Sequence, residues 1–133
     1  MIKESLNHSM TYHTYLKRIN DLLIQKKSTG HTQSEALTSY SKLNANRMNR
    51  LNKTTIITPE NKRKIQALSQ HYIWLVLSEG WCGDAAQILP ILNKMATLTD
   101  RIQLKIVLRD DNDTLMNAFL THGNNIGHKM KYT

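Results

Sequence analysis

The sequence is poor in the residues that build covalent or membrane-spanning frameworks. It has one cysteine, Cys82, two prolines and 133 residues in all. A single cysteine excludes an intrachain disulfide and a zinc site made of four thiolates. No apolar run approaches the roughly 20 residues that a membrane helix needs, and the polar residues 1–10 lack the apolar core of a signal peptide. We therefore expect a cytoplasmic protein with no membrane contact.

The remaining composition predicts a folded chain of one-domain length. Hydrophobic residues make up 40% and charged residues 21%, which is typical of globular proteins. The six histidines show no metal-ligand spacing, so we expect neither a metal nor another cofactor. Asp110, Asp111 and Asp113 cluster in sequence and suggest either a cation site or, more simply, a capped and solvated turn.

Positive charge is concentrated in the first half of the chain. The net charge is +8, and residues 1–71, with 12 Lys or Arg and 4 Asp or Glu, account for all of it. Such an imbalance attracts nucleic acid, acidic membranes or acidic proteins without choosing among them. Because few aromatic residues accompany the charges, nucleic acid is not the expected partner.

The first half reads as helical. Residues 12–23 follow a helical apolar period, with Lys26 and Lys27 in the last turn and Gly30 as the stop. A second helix is predicted over about residues 33–52, capped by Ser34. Its apolar stripe is expected to be core: Leu37, Tyr40, Leu43, Met48 and Leu51. Thr58-Pro59-Glu60 predicts the start of a third helix.

The second half alternates strands and helices. Tyr72–Leu77 is a continuous apolar run, typical of a strand buried on both faces. A helix over 85–98 containing Pro90, a strand over 102–108 and a helix from Asp113 follow. This order predicts an α/β fold with a right-handed βαβ core. We place the division between a helical N-terminal extension, 1–57, and a partial α/β domain, 58–133.

Cys82 lies where the first strand passes into the following helix. Backbone N–H groups and the positive end of the helix dipole favour a thiolate there, whereas Glu79 and Asp84 oppose it. The sequence predicts a thiol pKa somewhat below the usual value of about 8.5.

Trp81-Cys82-Gly83, with Pro90 eight residues after the cysteine, resembles the Trp-Cys-Gly-Pro-Cys motif of the thioredoxin family. The resemblance implies an incomplete thioredoxin-like fold. It also implies Cys82 as the catalytic residue, in an environment of Trp81, Gly83, Asp84, Ala85 and Pro90. Trp81 would then be either a substrate-facing lid or a cover for the helix start.

The likeness extends to one branch of thioredoxin-like proteins. This branch carries a helical N-terminal extension, as in the first half of the chain, and the motif Glu-x-Trp-Cys-Gly-Asp-Ala, as in residues 79–85. The other segments that carry this likeness are Ser28-Thr29-Gly30, Gln33-Ser34-Glu35, Leu37, Tyr40, Lys42-Leu43-Asn44, Arg47-Met48, Arg50 and Arg109-Asp110-x-Asn112.

Three positions depart from the thioredoxin pattern. Ala85 takes the place of the resolving cysteine and Val76 that of the buried acid, while Ile126 is followed by Gly127 instead of the cis-proline. Without a second thiol, Cys82 needs glutathione or a protein thiol to complete disulfide exchange. We therefore expect monothiol disulfide exchange or thiol-dependent binding, with protein thiols, protein disulfides or glutathione as partners.

The end of the chain also departs from the family. Little remains of the antiparallel strand expected to begin near Ile126, and a last strand and the final helix have no sequence, which predicts a C-terminally truncated or frameshifted member. Residues 129–132 could supply a short substitute strand, and an uncovered sheet edge invites self-association. Two other functions remain open: a non-enzymatic binding module that uses the basic helical half, and an inactive truncated family member.

Overall fold

A computed structural model describes residues 2–109 and the backbone of 129–132. Five helices and three strands occur there, in the order α1 (Ile2–Asn7), α2 (Tyr12–Ile24), α3 (Glu35–Thr54), α4 (Pro59–Gln66), β1 (Tyr72–Ser78), α5 (Gly83–Thr97), β2 (Ile102–Leu108) and β3 (Lys129–Tyr132). The predicted α/β class is confirmed. The helix predicted from Asp113 and the aspartate cluster at 110–113 lie outside the described residues.

The sheet has the strand order β2-β1-β3, with the cysteine-bearing strand in the centre. β1 pairs in parallel with β2 over its full length, and antiparallel with β3 from Trp74 to Leu77. The predicted bounds of β2 and the substitute strand over 129–132 are therefore confirmed, whereas β1 extends one residue beyond its predicted end at Leu77. Because parallel pairing needs a crossover, α5 joins β1 to β2.

Both faces of the sheet are covered, as the unbroken apolar run in β1 predicts. One face joins the main core: Val76 and Ile106 lie there against α2, α3 and α5. On the other face Leu75, Leu77 and Val107 form a second cluster, against which Leu6 of α1 packs. The N-terminal segment, which showed no clear pattern in the sequence, thus shields part of the sheet.

The end of α2 differs from the expectation. We placed Lys26 and Lys27 in the last helical turn, but the helix ends at Ile24. Lys26 has a left-handed backbone (φ 58°), and the N–H of Lys27 donates to the carbonyl of Leu22. This reversal closes the helix before Gly30, because the left-handed residue turns the next N–H groups back onto the last carbonyls.

The buried face of α3 also differs from the predicted apolar stripe. Tyr40 and Leu43 are 57% and 54% exposed, whereas Ser41, Asn44 and Ala45 are buried. The helix packs against α5 and the loop that precedes it. Met48 of the predicted stripe is buried as expected. Close approach of the backbones needs small side chains, and a buried loop carbonyl needs a donor, so small and polar residues take the other buried positions.

Tyr15 anchors α2 to the end of β1. Its side chain is 1% exposed, and its hydroxyl shares a 2.9 Å hydrogen bond with Ser78 Oγ. Burial is the main reason why the pKa of Tyr15 is raised, so the group stays neutral and keeps its hydrogen bond at physiological pH.

Replacing Tyr15 with phenylalanine should lower the free energy of unfolding by about 0.5–1.5 kcal/mol, since one buried hydrogen bond is lost while the ring packing is retained. Urea denaturation followed by circular dichroism measures the change. Tyr40→Phe is the matched control on an exposed ring and should stay within about 0.5 kcal/mol of the wild type. Equal effects of the two changes would contradict the anchoring role.

Candidate active site at the start of the fifth helix

The candidate site is the junction where β1 ends and α5 begins. Cys82 is the N-cap residue of α5, with an extended backbone (φ −81°, ψ 113°). A turn closed by the N–H of Cys82 donating to the carbonyl of Glu79 at 3.0 Å precedes it. This turn directs the chain from the sheet into the helix and places the sulfur at the helix N-terminus, as the sequence predicts.

The backbone at the helix start acts on the thiol in the expected direction. The backbone N–H groups of Asp84 and Ala85 lower the pKa of the thiol, and the Arg109 guanidinium adds a smaller favourable effect. The Asp84 carboxylate raises the pKa of the thiol, as expected from a neighbouring negative charge.

Burial outweighs these effects, so the predicted lowering of the thiol pKa is wrong. Cys82 is 6% exposed and belongs to the main core cluster. Desolvation is the largest influence and raises the pKa of Cys82 above its usual range. The sequence shows the helix start but not the side chains that cover the sulfur, and covering it disfavours the charged form.

The other predicted site residues differ in their exposure. Ala85 and Pro90 are buried, and Pro90 lies inside a helix that continues to Thr97. Asp84 is exposed, and Gly83 and Trp81 are half-buried. Trp81 packs against the main core, and the guanidinium of Arg109 lies 5.5 Å from its ring centre.

The two substituted family positions also lie in the core. Val76 is 1% exposed within β1, on the same face as Cys82. Neither Val76 nor Ala85 carries an ionisable or thiol group. Within residues 2–109, Cys82 is therefore the one residue with a thiol side chain. No group of three or more His, Cys, Asp or Glu side chains comes together in the described residues.

A buried carboxyl group, Glu79, ties the site to the N-terminal half. Its side chain is 0% exposed and accepts a hydrogen bond from the Thr29 hydroxyl. The same hydroxyl oxygen accepts from the N–H of Gly80 at 2.8 Å. The loop around Thr29 is thus joined twice to the loop that carries Cys82. In the sequence we took Glu79 only as a charge opposing the thiolate, and the role of Thr29 had no signal besides its place in the Ser-Thr-Gly likeness.

α3 supplies two further contacts to this loop. Asn44 Nδ2 donates to the carbonyl of Gly80 at 3.1 Å, and both groups are buried. Arg47 Nη1 lies 3.7 Å from the position that a Cβ atom on Gly83 would occupy. Gly80 is also confined, because a Cβ there would lie 3.2 Å from Ile19 Cγ1. α2 and α3 therefore form part of the wall of the site.

Comparison with known proteins agrees with this architecture. A protein-family model described as thioredoxin matches residues 30–126. A search of curated proteins gave no match. None of the helices in the described residues combines the length and apolar character that crossing a membrane requires.

Two solved structures share the fold. A protein of unknown function from Pseudomonas aeruginosa aligns with a TM-score of 0.58 at 16% identity, over 87% of this chain and 59% of that one. An HIV epitope-scaffold protein aligns with the same score and identity, over 86% of this chain and 59% of the scaffold. The present chain thus spans about three fifths of the length of each, and identity this low shows the fold alone.

The alkylation rate of Cys82 should rise with pH to a midpoint above that of a free thiol, because burial raises its pKa and only the thiolate reacts. Asp84→Asn should shift this midpoint down, since it removes the carboxylate that opposes the thiolate. Iodoacetamide kinetics between pH 6 and 11 measure both. Asp100→Asn, at an exposed turn far along the chain, is the control and should leave the midpoint unchanged. A wild-type midpoint below about 8.5 would contradict the dominance of burial.

Thr29→Val should lower the free energy of unfolding by about 1–3 kcal/mol, because it leaves the buried Glu79 carboxyl and the Gly80 N–H without their shared partner. It should also increase the alkylation rate of Cys82 at neutral pH, since the loop that carries the cysteine loses its attachment to the segment around Thr29. Thr32→Val, on an exposed residue nearby in the same connection, is the control for both readouts. A Thr29 variant that loses stability while its thiol remains as slow as the wild type would limit the contact to a structural role.

Proposed function

Since the chain belongs to the thioredoxin family, we propose that it carries out monothiol disulfide exchange through Cys82, with an external thiol completing the reaction. The observation that carries the proposal is the position of Cys82 as N-cap of α5, where the backbone N–H groups of Asp84 and Ala85 favour the thiolate. Backbone donors at a helix start stabilise both the attacking thiolate and the same sulfur when it is the leaving group.

The proposed chemistry has two balanced steps. Cys82 loses its proton to water, and the thiolate attacks one sulfur of a disulfide. The Cys82–sulfur bond forms, the original disulfide bond breaks, and the other half leaves as a thiolate. An external thiolate then attacks the sulfur bound to Cys82, so that a new disulfide leaves and Cys82 is regenerated as a thiolate.

Ala85 determines that the second step is intermolecular. In a dithiol reductase the second cysteine releases the mixed disulfide within the same molecule. The corresponding residue here is an alanine buried at 1% exposure. The mixed disulfide on Cys82 should therefore accumulate when no other thiol is present. Glutathione and protein thiols are the partners that fit this requirement.

The raised pKa makes the exchange slow at neutral pH, because a small fraction of the thiol is ionised. A buried, slow thiol reacts selectively with partners that bind beside it, as proximity raises the local concentration of the disulfide. The site thus favours exchange with a disulfide that binds beside Cys82 over reaction of the thiol with any disulfide in solution.

Incubating the native protein with glutathione disulfide should add one glutathione per chain, and a later excess of reduced glutathione should remove it. Intact-mass spectrometry measures both steps. Cys82→Ser should remain unmodified, and insulin reduction should show little turnover without added thiol.

The same incubation in 6 M urea is the control for accessibility. A thiol that reacts when unfolded but forms no adduct in the native protein over many hours would contradict monothiol exchange. That outcome would favour the inactive family member considered from the sequence.

A further inference from the structure

Two arginines from different elements lie beside the proposed exchange site. Arg47 projects from α3 towards Gly83, the residue after the cysteine. Arg109 follows the end of β2, and its guanidinium stacks on Trp81, the residue before the cysteine. Both side chains are half-buried. The thiol thus has a cationic group next to each of its neighbours in the chain.

We propose that Arg47 and Arg109 select a small, carboxylate-bearing thiol or its disulfide as the exchange partner of Cys82. This inference rests on the proposed function and adds the chemical class of the partner. The guanidinium groups are specificity-determining, since they would hold the carboxylate while the partner's sulfur meets Sγ of Cys82. Guanidinium groups suit this task because their fork of N–H donors matches a carboxylate.

The local charge balance supports an anionic partner. Among the described residues, neither guanidinium forms an ion pair within 4 Å of a carboxylate. Asp84 is the acidic side chain found to act on the thiol, and it is exposed, whereas Arg109 acts in the opposite direction. Glu79, the other carboxyl group at this junction, is buried and accepts from Thr29. The two guanidinium groups on either side of the cysteine can therefore attract an anion at close range.

The absence of a resolving cysteine explains why such selectivity is useful. In the exchange, Cys82 attacks the partner's sulfur, the partner's disulfide bond breaks, and the released half leaves as a thiolate. A second carboxylate-bearing thiol must then attack the same sulfur and leave with it as a disulfide. Both steps bring a small thiol to the same place, so one pair of arginines would serve the entry of the partner and the release of Cys82.

A charge series of matched disulfides tests the inference. The probes are 3,3′-dithiodipropionate, bis(2-hydroxyethyl) disulfide and cystamine, which place an anion, a neutral hydroxyl and a cation two carbons from the sulfur. Mixed-disulfide formation on Cys82 is followed by intact mass. Each rate constant is divided by that of the same disulfide with N-acetylcysteine amide, which removes differences in intrinsic reactivity.

The wild type should prefer the anionic over the neutral probe by about 5- to 10-fold, and the cationic probe should react slowest. The preference should shrink towards 1 as salt is raised to about 0.5 M, because screening weakens the attraction. The double variant Arg47→Gln/Arg109→Gln should lose the preference at low salt. Arg63→Gln, exposed on α4, changes the net charge by the same amount per residue and should keep it.

The outcomes separate this inference from the proposed function. Equal normalised rates for the three probes, or a preference that survives the double substitution, would overturn the role of the arginines while exchange at Cys82 stands. No reaction with any probe in the native protein, with normal reaction of the unfolded chain, would overturn the exchange function itself. If the double variant fails to fold, the single variants Arg47→Gln and Arg109→Gln decide the matter: each should lower the preference, and a preference unchanged in both would overturn the role of the arginines.

Discussion

The buried carboxyl group of Glu79 is the constraint on which the site depends. A polar group with no solvent exposure must find its hydrogen bonds within the protein, because leaving it unsatisfied costs more than the fold can readily offset. Thr29 supplies one of these bonds and also binds the N–H of Gly80. The loop before Cys82 is thereby attached to a segment 50 residues earlier in the chain.

That attachment makes the N-terminal helices part of the candidate site. Tyr15 contacts the end of β1, Asn44 satisfies the Gly80 carbonyl, and Arg47 approaches Gly83. The residues of α2 and α3 share one core cluster with the strands and with α5. The division at residue 57 drawn from the sequence stays a prediction, and these contacts show how closely the two predicted parts are packed.

The chemistry of Cys82 is set by a competition between two environments. Helix N–H groups and a nearby guanidinium stabilise the thiolate, while removal from water destabilises it by more. Cys82 therefore lies at a helix N-terminus, where reactive thiols are found, but its burial is typical of an unreactive thiol in a protein core. In the proposed exchange, such a balance makes the reaction depend on a partner that binds beside the site.

The sequence alone determined the elements whose signals are local. The apolar runs of β1 and β2, the caps Ser34 and Thr58, and the position of Cys82 before a helix were all readable, since each depends on neighbouring residues. The Trp-Cys-Gly motif with Pro90 added the family. Other features depend on residues that are distant in sequence, and only the tertiary structure decided them. These are the buried face of α3, the hydrogen bond between Thr29 and Glu79, and the position of Arg47 near the cysteine loop. The sign of the thiol pKa shift belongs to this second group, because the thiol is buried in a core cluster shared by α2, α3, α5 and the sheet, which no local pattern brings together.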